Sequence, residues 1–468
     1  MKITLPEKVN QIITTLLSHG YEAYAVGGCV RDSLLGREAD DWDITTSASP
    51  YEVKELFRRT IDTGIQHGTV TVMLDKEGFE VTTYRIDGEY EDGRHPKEVL
   101  FTKNLEEDLR RRDFTINAMA YNEQTGLVDI FGGVNDLKSG IIRCVGVAQE
   151  RFEEDALRIL RAYRFSAQLG FEIEPETRKA ATALSKNLRK ISAERIRTEL
   201  TKLLLSKHPD RLVWAMEDGI TPEFLPEWDA MWKTSQKNQN HVYNVGEHTL
   251  YAVKYIGDPA QQETIARELS EGGFLEKSWT KKEITMLRYA ALLHDVSKPL
   301  VKQVKENGEE HFPGHAKESA KLAKTLMHRL KFDNETTDMV VRLVAAHNEY
   351  EFEKTPTGMR KLMHRLGPDL MEYLWELQLA DVLSQHPNGI RAKLDILAET
   401  KRLHKEVLQR GDCVSLKELA VNGRDLMEIG IAPGRGIGEE LDRLLKAVLE
   451  CPELNQKEKL LALAGNGK

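Results

Sequence analysis

The sequence predicts a multidomain protein with a mixed α+β N-terminal part followed by helical regions. Strand-like apolar runs and runs of alternating β-branched residues occur up to about residue 145. Beyond that point, apolar residues recur at helical spacing. With 468 residues, the chain is long enough for two to four domains, each with its own core.

Composition and charge exclude several classes of protein. The chain is 40% hydrophobic and 30% charged, which is ordinary for a globular protein, and no apolar run approaches the roughly twenty residues of a membrane span. We therefore expect no membrane partner. The net charge of -9 means that any nucleic-acid contact must come from local basic faces. Four widely separated cysteines without a C-x-x-C pair predict a cytoplasmic protein without disulfides: Cys29, Cys144, Cys413 and Cys451.

The stretch from Tyr24 to Thr46, YAVGGCVRDSLLGREADDWDITT, contains groups that phosphate chemistry needs. Gly27 and Gly28 lie between a strand-like run and a helix-like run, where glycines let backbone N–H groups approach a polyphosphate. Arg31 adds a cation.

Two carboxylates end this stretch. In an extended strand, Asp41 and Asp43 share one face and offer two hard oxygen ligands for Mg²⁺. An Asp-x-Asp pair alone is equally typical of a polar turn before an edge strand. Its combination with the glycine pair and the Arg31–Asp32 dipeptide favours a catalytic metal site.

The next runs complete the mixed region. Gly68 to Leu74 and Phe79 to Tyr84 predict paired strands. Glu80 could place a third carboxylate near the Asp pair, or could be a surface residue. The Gly-rich and charged run Arg85 to Phe101 predicts a loop. The basic cluster that includes Arg112 precedes an apolar segment, which favours a ligand contact over a solvated face.

Helical patterns begin with Phe152 to Leu169, FEEDALRILRAYRFSAQL. Arg158, Arg161 and Arg164 recur every three residues and roughly share one face, where they repel each other unless an anion faces them. Asp155 lies one turn earlier, so Asp155 could accept and Arg158 could donate hydrogen bonds at a base edge. A solvated face is the alternative. Residues 178–202 add eight Lys/Arg against two acidic residues, which suits a phosphate backbone.

Five of these motifs, in this order, resemble the class II nucleotidyltransferases, which comprise the CCA-adding tRNA nucleotidyltransferases and the bacterial poly(A) polymerases. The motifs are GGCVRD, LLGREADDWDI, RRDFTINAM, EDALRILRAYRF and ISAERIRTEL, and the resemblance covers roughly residues 20–225. It implies a polymerase-β-like nucleotidyltransferase palm followed by an all-α neck and further helical regions.

The resemblance also implies roles for individual residues. Asp41 and Asp43 would bind Mg²⁺ for two-metal nucleotidyl transfer. The other implied contacts are with the nucleotide: Gly28, Arg31 and Arg112 with the triphosphate, Asp155 and Arg158 with the incoming base, and Arg161 and Arg164 around the same pocket. The implied partners are tRNA, CTP and ATP.

A second constellation lies in the other half of the chain. Its residues, in the order H…HD…H…H…D, are His248, His294, Asp295, His315, His347 and Asp381. The pattern resembles the HD superfamily of metal-dependent phosphohydrolases, and the longer set resembles its two-metal members. Imidazole with carboxylate favours a transition metal such as Mn, Co, Ni or Fe over Mg²⁺ alone. A degenerate HD fold kept as a scaffold is the alternative.

We therefore predict a palm at 1–145, a neck that binds base and RNA at 146–225, an HD domain at 226–390 and a helical RNA-binding tail at 391–468. The predicted activity is template-independent addition of CCA to tRNA. A poly(A) polymerase of this family usually has a strongly basic C-terminal region and no HD part. A CC-adding specialist would lack a full loop at residues 85–101. An A-adding specialist stays open, as does the oligomeric state, and the intact Asp pair argues against a non-catalytic nucleotide- or RNA-binding protein.

Overall fold

The computed structural model describes residues 2–39, 41–87, 99–237, 243–257, 278–385 and 390–465. The chain divides into two compact units, Met1–Pro226 and Glu227–Lys468. The finer division into palm, neck, HD domain and tail stays a prediction.

The first unit contains a sheet followed by helices, so the mixed N-terminal fold is confirmed. Its strands are β1 (Ala23–Val26), β2 (Ile44–Thr46), β3 (Thr60–Gly64), β4 (Thr69–Leu74), β5 (Glu77–Thr83), β6 (Arg85–Asp87), β7 (Val99–Phe101), β8 (Ala120–Asn122), β9 (Gly126–Val128), β10 (Ile141–Ile142) and β11 (Glu172–Ile173). Its helices are α1 (Glu7–Ser18), α2 (Gly28–Leu34), α3 (Pro50–Leu56), α4 (Leu105–Arg110), α5 (Gly133–Ser139), α6 (Ala148–Glu154), α7 (Leu157–Leu169), α8 (Pro175–Leu184), α9 (Ala193–Leu204) and α10 (Arg211–Glu217).

The main sheet has seven strands in the order β3-β4-β5-β2-β1-β8-β9. The predicted hairpin of β4 and β5 is confirmed, with Val70 opposite Val81. β1 lies between β2 and β8 and is antiparallel to both. All four β1 residues are buried, which explains why the strand reads as a continuous apolar run. The turn from β1 into α2 therefore starts from a fixed central strand.

Three expectations need correction. β2 begins at Ile44, after the Asp pair, although the Val26 amide still donates to the Asp43 carbonyl at 3.0 Å. The helix predicted from Phe152 to Leu169 is broken into α6 and α7 because the side chain of Asp155 accepts the Leu157 amide at 3.0 Å and ends the first helix. The predicted loop from Arg85 to Phe101 begins and ends in the paired strands β6 and β7, and residues 88–98 lie outside the described residues.

The second unit is predominantly helical, as expected. Its helices are α11 (Pro226–Trp232, at the unit boundary), α12 (Val245–Tyr255), α13 (Lys281–Leu293), α14 (Lys298–Val301), α15 (His315–Arg329), α16 (Asn334–Ala346), α17 (Pro356–Leu366), α18 (Met371–Leu383), α19 (Ile390–Arg410), α20 (Gly423–Glu428), α21 (Arg435–Glu450) and α22 (Lys457–Gly465). The short strands β12 (Gln303–Val304) and β13 (Glu310–His311) form a hairpin.

The short strands β11, β12 and β13 lie after residue 145, where the sequence predicts only helices. Two-residue pairings are held by backbone hydrogen bonds and are too short to leave a periodic pattern. α12, α13, α16 and α18 pack together in the second unit, and each of them carries or directly precedes a predicted metal ligand. Among the described helices, none is both long enough and apolar enough to cross a bilayer.

Candidate active site and metal centre

The glycine pair leaves room for two guanidinium groups. Gly27 has φ 83°, in the left-handed region that favours glycine, and a Cβ there would lie 3.0 Å from Arg112 Nη1. A Cβ on Gly28 would lie 3.7 Å from Arg31 Nη2. The structure thus places the predicted triphosphate contacts Gly28, Arg31 and Arg112 around one turn, where bare backbone and two cations suit a polyphosphate.

The two aspartates lie just before β2 and are exposed to solvent. Desolvation by the surrounding protein raises the pKa of Asp43, the Arg112 guanidinium opposes this shift, and the charge of Asp41 adds to it. The two carboxylates are therefore close enough to repel each other. Two carboxylates that lie close enough to repel each other suit Mg²⁺, since a divalent cation between their oxygens would remove the repulsion.

Glu80 lies on β5, which pairs with β2, the strand that Asp43 precedes. Ile44 pairs with Val81 in the parallel ladder of β2 and β5, and both are buried. The residues before them, Asp43 and Glu80, consequently project from the opposite face, because neighbouring side chains in register share a face. Glu80 is exposed there, so its role as a third carboxylate stays a prediction with a favourable register.

Asp108 is a buried residue beside the candidate site that the sequence reasoning missed. It is fully buried, accepts Arg111 Nε at 3.0 Å and Thr45 Oγ1 at 3.1 Å, and lies 3.6 Å from Arg112 Nη2. Burial would raise the pKa of Asp108, but the two arginines outweigh burial and lower it. Asp108 therefore orients Arg112, whose buried Nε has no hydrogen-bond partner among the described residues. The sequence signal that could have identified Asp108 is its spacing, because it lies three positions before Arg111 and four before Arg112.

The three arginines of α7 each face a protein carboxylate. The closest pairs are Arg158–Glu154 (2.6 Å), Arg161–Asp113 (2.6 Å) and Arg164–Glu199 (2.8 Å). Burial alone would raise the pKa of Asp113, but nearby arginine charges, chiefly that of Arg161, hold this pKa at about 2. The anions that the arginine stripe requires are thus supplied by the protein itself. Assignment of these arginines to an incoming nucleotide stays a prediction.

The Arg158 amide N–H donates to the Asp155 carbonyl at 3.0 Å, whereas the two side chains bind other residues. Arg195 binds the Asp155 carboxylate through both terminal nitrogens, at 3.2 and 2.7 Å. Arg158 Nη2 donates to the Arg111 carbonyl at 2.9 Å, which ties α7 to the basic cluster. Arg195 lies in the predicted basic stretch, yet its partner could not be predicted because the two residues are 40 positions apart.

All six residues of the second constellation lie close to one another, and Asp295 lies at their centre. Two candidate groups for a metal ion share this residue: His248, His294 and Asp295, and Asp295, His315 and His347. Asp295 Oδ2 is 3.2 Å from His294 Nε2, whereas Oδ1 is 3.6 Å from His315 Nε2. Asp381 Oδ1 joins the first group at 3.1 Å from His248 Nε2. One carboxylate therefore faces two sites with its two oxygens.

Backbone carbonyls orient the imidazole rings. The Nδ1 atoms of His294, His315 and His347 each lie 2.7–2.9 Å from a carbonyl of their own chain segment, and Nδ1 of His248 lies 3.1 Å from the Ser384 carbonyl. A carbonyl can only accept, so Nδ1 carries a hydrogen and donates it, and Nε2 is the ring nitrogen that faces the cluster. This is the arrangement of metal-binding histidines.

The electrostatics of the cluster also fit a metal. Both Asp295 oxygens are buried, and neither accepts a well-aligned hydrogen bond from the residues that the structure describes, although Lys298 Nζ lies 2.6 Å from Oδ2. Burial opposes the charged form of Asp295, but the His294 charge outweighs it and holds the pKa well below its usual range. Burial and His294 lower the pKa of His347 to about 3. His347 is thus a neutral imidazole beside the ionised Asp295 carboxylate, which is the ligand state that a divalent transition metal needs.

Four protein-family models match parts of this chain. Residues 23–143 match the poly A polymerase head domain, and residues 170–231 match a family described as "Probable RNA and SrmB- binding site of polymerase A". Residues 240–385 match the HD domain, and residues 315–464 match the tRNA nucleotidyltransferase domain 2 family.

Several relatives and solved structures that this chain resembles are named CCA-adding enzymes. The chain is 49% identical over 255 residues to a CCA-adding enzyme of Leuconostoc mesenteroides, covering 52% of this chain and 63% of the relative. It is 48% identical over 256 residues to a CCA-adding enzyme of Oceanobacillus iheyensis, covering 54% and 64%. The chain thus matches less than two thirds of the length of these curated relatives. The crystal structure of the Bacillus stearothermophilus CCA-adding enzyme in complex with CTP is similar over 99% of this chain and 98% of that one, with 29% identity and a TM-score of 0.69.

Proposed function

We propose that this chain, a member of the tRNA nucleotidyltransferase/poly(A) polymerase family, adds C, C and A to the 3′ end of tRNA from CTP and ATP without a nucleic-acid template. The carrying observation is the first site, where Asp41 and Asp43 lie beside a glycine turn flanked by Arg31 and Arg112. The name CCA-adding enzyme, shared by the relatives and the CTP-bound structure, favours tRNA over other acceptors. The four free cysteines fit a cytoplasmic enzyme.

The residues of the first unit suit nucleotidyl transfer. Asp41 and Asp43 would hold Mg²⁺, with Glu80 on the same sheet face as a further carboxylate. When bound, the metal supplies Lewis-acid stabilisation of the attacking 3′ oxygen and the leaving pyrophosphate. Arg31 and Arg112 would bind the triphosphate and fix its orientation relative to the aspartates, so most of the catalytic contribution is positioning and charge stabilisation.

The experiment that tests this proposal uses tRNA lacking its last three nucleotides. With CTP alone, the tRNA should lengthen by two residues, and with CTP and ATP by three. A product extended only by A, and only on tRNA that already ends in CC, would indicate an A-adding specialist. A long A tail would indicate a poly(A) polymerase. Binding of tRNA without any extension would leave a non-catalytic RNA-binding protein.

Base choice has its own test. Asp155 and Arg158 are proposed to recognise the base edge, with Arg195 holding the Asp155 carboxylate. Asp155→Ala should let UTP or GTP compete with CTP, because a bidentate base contact gives about 1–3 kcal/mol of discrimination. Unchanged selectivity among the four nucleotides would contradict the assignment.

We also propose a second activity, hydrolysis of phosphate esters at the HD site, with 2′,3′-cyclic or 3′-phosphate RNA ends as substrates. The observation that favours it is the pair of residue groups that share Asp295. His248, His294, Asp295 and Asp381 would hold one transition-metal ion, and Asp295, His315 and His347 a second. When bound, such metals lower the pKa of water and polarise the phosphoryl oxygen.

This second activity is tested with 2′,3′-cyclic AMP under Mn, Co and Ni. His294→Ala should abolish hydrolysis and leave CCA addition unchanged. A wild-type protein that hydrolyses no cyclic nucleotide or 3′-phosphate under any of these metals would reduce the region to a scaffold.

A further inference from the structure

A continuous set of buried hydrogen bonds joins Arg31 to Arg161. Arg31 Nη1 donates to Asn117 Oδ1 at 2.7 Å, and Asn117 Nδ2 donates to Asp113 Oδ1 at 3.1 Å. Arg161 Nε donates to the other oxygen, Asp113 Oδ2, at 2.7 Å. Asn117 and Asp113 are only 6% and 8% exposed, so water hardly competes for these bonds. We call the four residues the palm relay.

An asparagine suits the middle of the palm relay because it carries an acceptor and a donor on one rigid plane. The Arg31 guanidinium can only donate and the ionised Asp113 carboxylate can only accept, so the amide of Asn117 has one allowed orientation. The short 3-10 helix Thr115–Asn117 fixes the position of Asn117 relative to Asp113, since the backbone N–H of Asn117 donates to the Phe114 carbonyl at 2.9 Å.

One aromatic ring adds a second connection between the same two arginines. The Phe165 ring is buried, with Arg31 Cζ 5.1 Å and Arg161 Cζ 5.3 Å from its centroid. Cations at this distance from a ring face are attracted to it. Arg31 and Arg161 are thus connected both by a hydrogen-bonded path and by a shared ring.

We propose that Asn117 is a positioning residue that couples triphosphate binding at Arg31 to the fit of the base in the pocket that Arg161 helps to form. The inference rests on the proposed nucleotide addition and deepens it. A base that fits keeps Arg161 on Asp113 and so keeps Arg31 on the triphosphate. A base that does not fit displaces Arg161, and the palm relay carries the displacement to Arg31, which lowers the rate of transfer for the wrong nucleotide.

The test is an isosteric substitution. Asn117→Asp keeps an oxygen for Arg31 but replaces the donor that faces Asp113 with a second carboxylate oxygen. The matched control is Asn122→Asp, since Asn122 is fully buried in the same unit and its side chain bonds to the backbone of Ala23 and Thr125. Asn117→Ser provides a smaller, neutral variant that cannot reach both partners.

We expect Asn117→Asp to lower kcat for CTP and to reduce the ratio of kcat/KM for CTP over UTP, each about tenfold, because a buried bond to a charged group is lost. Calorimetric binding of CTP and UTP without tRNA should show the same loss of discrimination. The control should retain the wild-type ratio in both measurements, and Asn117→Ser should behave like Asn117→Asp.

Two results would overturn the proposal. One is an equal loss for CTP and UTP, which would limit Asn117 to triphosphate binding. The other is a purely structural effect of the Asn117 substitutions. In that case, either discrimination is unchanged while stability is lowered, or both Asn117 variants fail to fold while the control folds. Failure of the wild-type protein to extend tRNA would contradict the proposed function itself and is measured separately.

Discussion

Replacement of Asp295 should remove both of the metal ions proposed for the HD site, whereas replacement of His315 should remove one. Asp295 Oδ2 faces His248 and His294 at 3.5 and 3.2 Å, and Oδ1 faces His315 and His347 at 3.6 and 3.9 Å. Asp295→Ala therefore removes a ligand from each group. His315→Ala removes a ligand only from the second group.

The magnitude follows from the ligand count. Wild-type protein should hold roughly two transition-metal ions, His315→Ala roughly one, and Asp295→Ala close to none. Loss of an outer partner of a metal ligand already costs about 10–100-fold in affinity, so loss of a direct ligand should cost more.

Metal content is measured by mass spectrometry after growth with Mn, Co and Ni and extensive dialysis. Circular dichroism serves as the folding control, because Asp295→Ala also leaves the buried Lys298 without its carboxylate. A folded Asp295→Ala protein that retains a full equivalent of metal would refute the bridging role. A wild-type protein that never binds more than one ion would refute the hypothesis of two metal sites.

Three further predictions concern the first unit. Asp43→Ala should abolish nucleotide addition and leave tRNA binding by mobility shift unchanged, whereas Asp62→Ala, which removes an exposed carboxylate paired with a lysine, should affect neither. Arg112→Ala should raise KM for CTP and ATP alike by about 10–100-fold through loss of a charge-assisted contact, and Arg110→Ala on the exposed side of the same cluster should not. Glu199→Ala should lower the free energy of unfolding in urea by about 3–5 kcal/mol, because two arginines of α7 lose their buried carboxylate; a change below about 1 kcal/mol would contradict that account.

The elements that could be predicted from the sequence are those with a local cause. β1 is a short apolar run before the glycine pair, and β4 and β5 alternate around a turn at Asp75 and Lys76, both of which have positive φ. The order of five motifs identified the family, although no single motif would. The break at Asp155 was missed because an aspartate in a helical pattern fits an exposed helical position as well as a capping position.

Long-range partners could not be predicted by the same reasoning. Asp113 and Arg161 are 48 positions apart, and Arg164 and Glu199 are 35 apart, so neither pair leaves a periodic trace. The same holds for the HD cluster, whose ligands span His248 to Asp381 and could be grouped only through resemblance to a family pattern. Spacing along the chain indicates which face a residue shares but not which distant residue it meets.

If the α7 arginines line the base pocket as proposed, their internal pairing changes how base selection should be understood. If Arg161 and Arg164 faced solvent without counter-ions, any anion would be attracted and charge alone would decide binding. Because Asp113 and Glu199 already neutralise them, an incoming nucleotide gains little from net charge at this position. It gains only when its hydrogen-bonding edge fits donors that the carboxylates have oriented. In the proposed assignment, strong attraction is then left to Arg112, whose ion pair with Asp108 is longer, at 3.6 Å, than the pairs of α7, and discrimination is left to the α7 arginines. The sequence places both kinds of arginine close to acids, and the difference in their pairing follows from the fold.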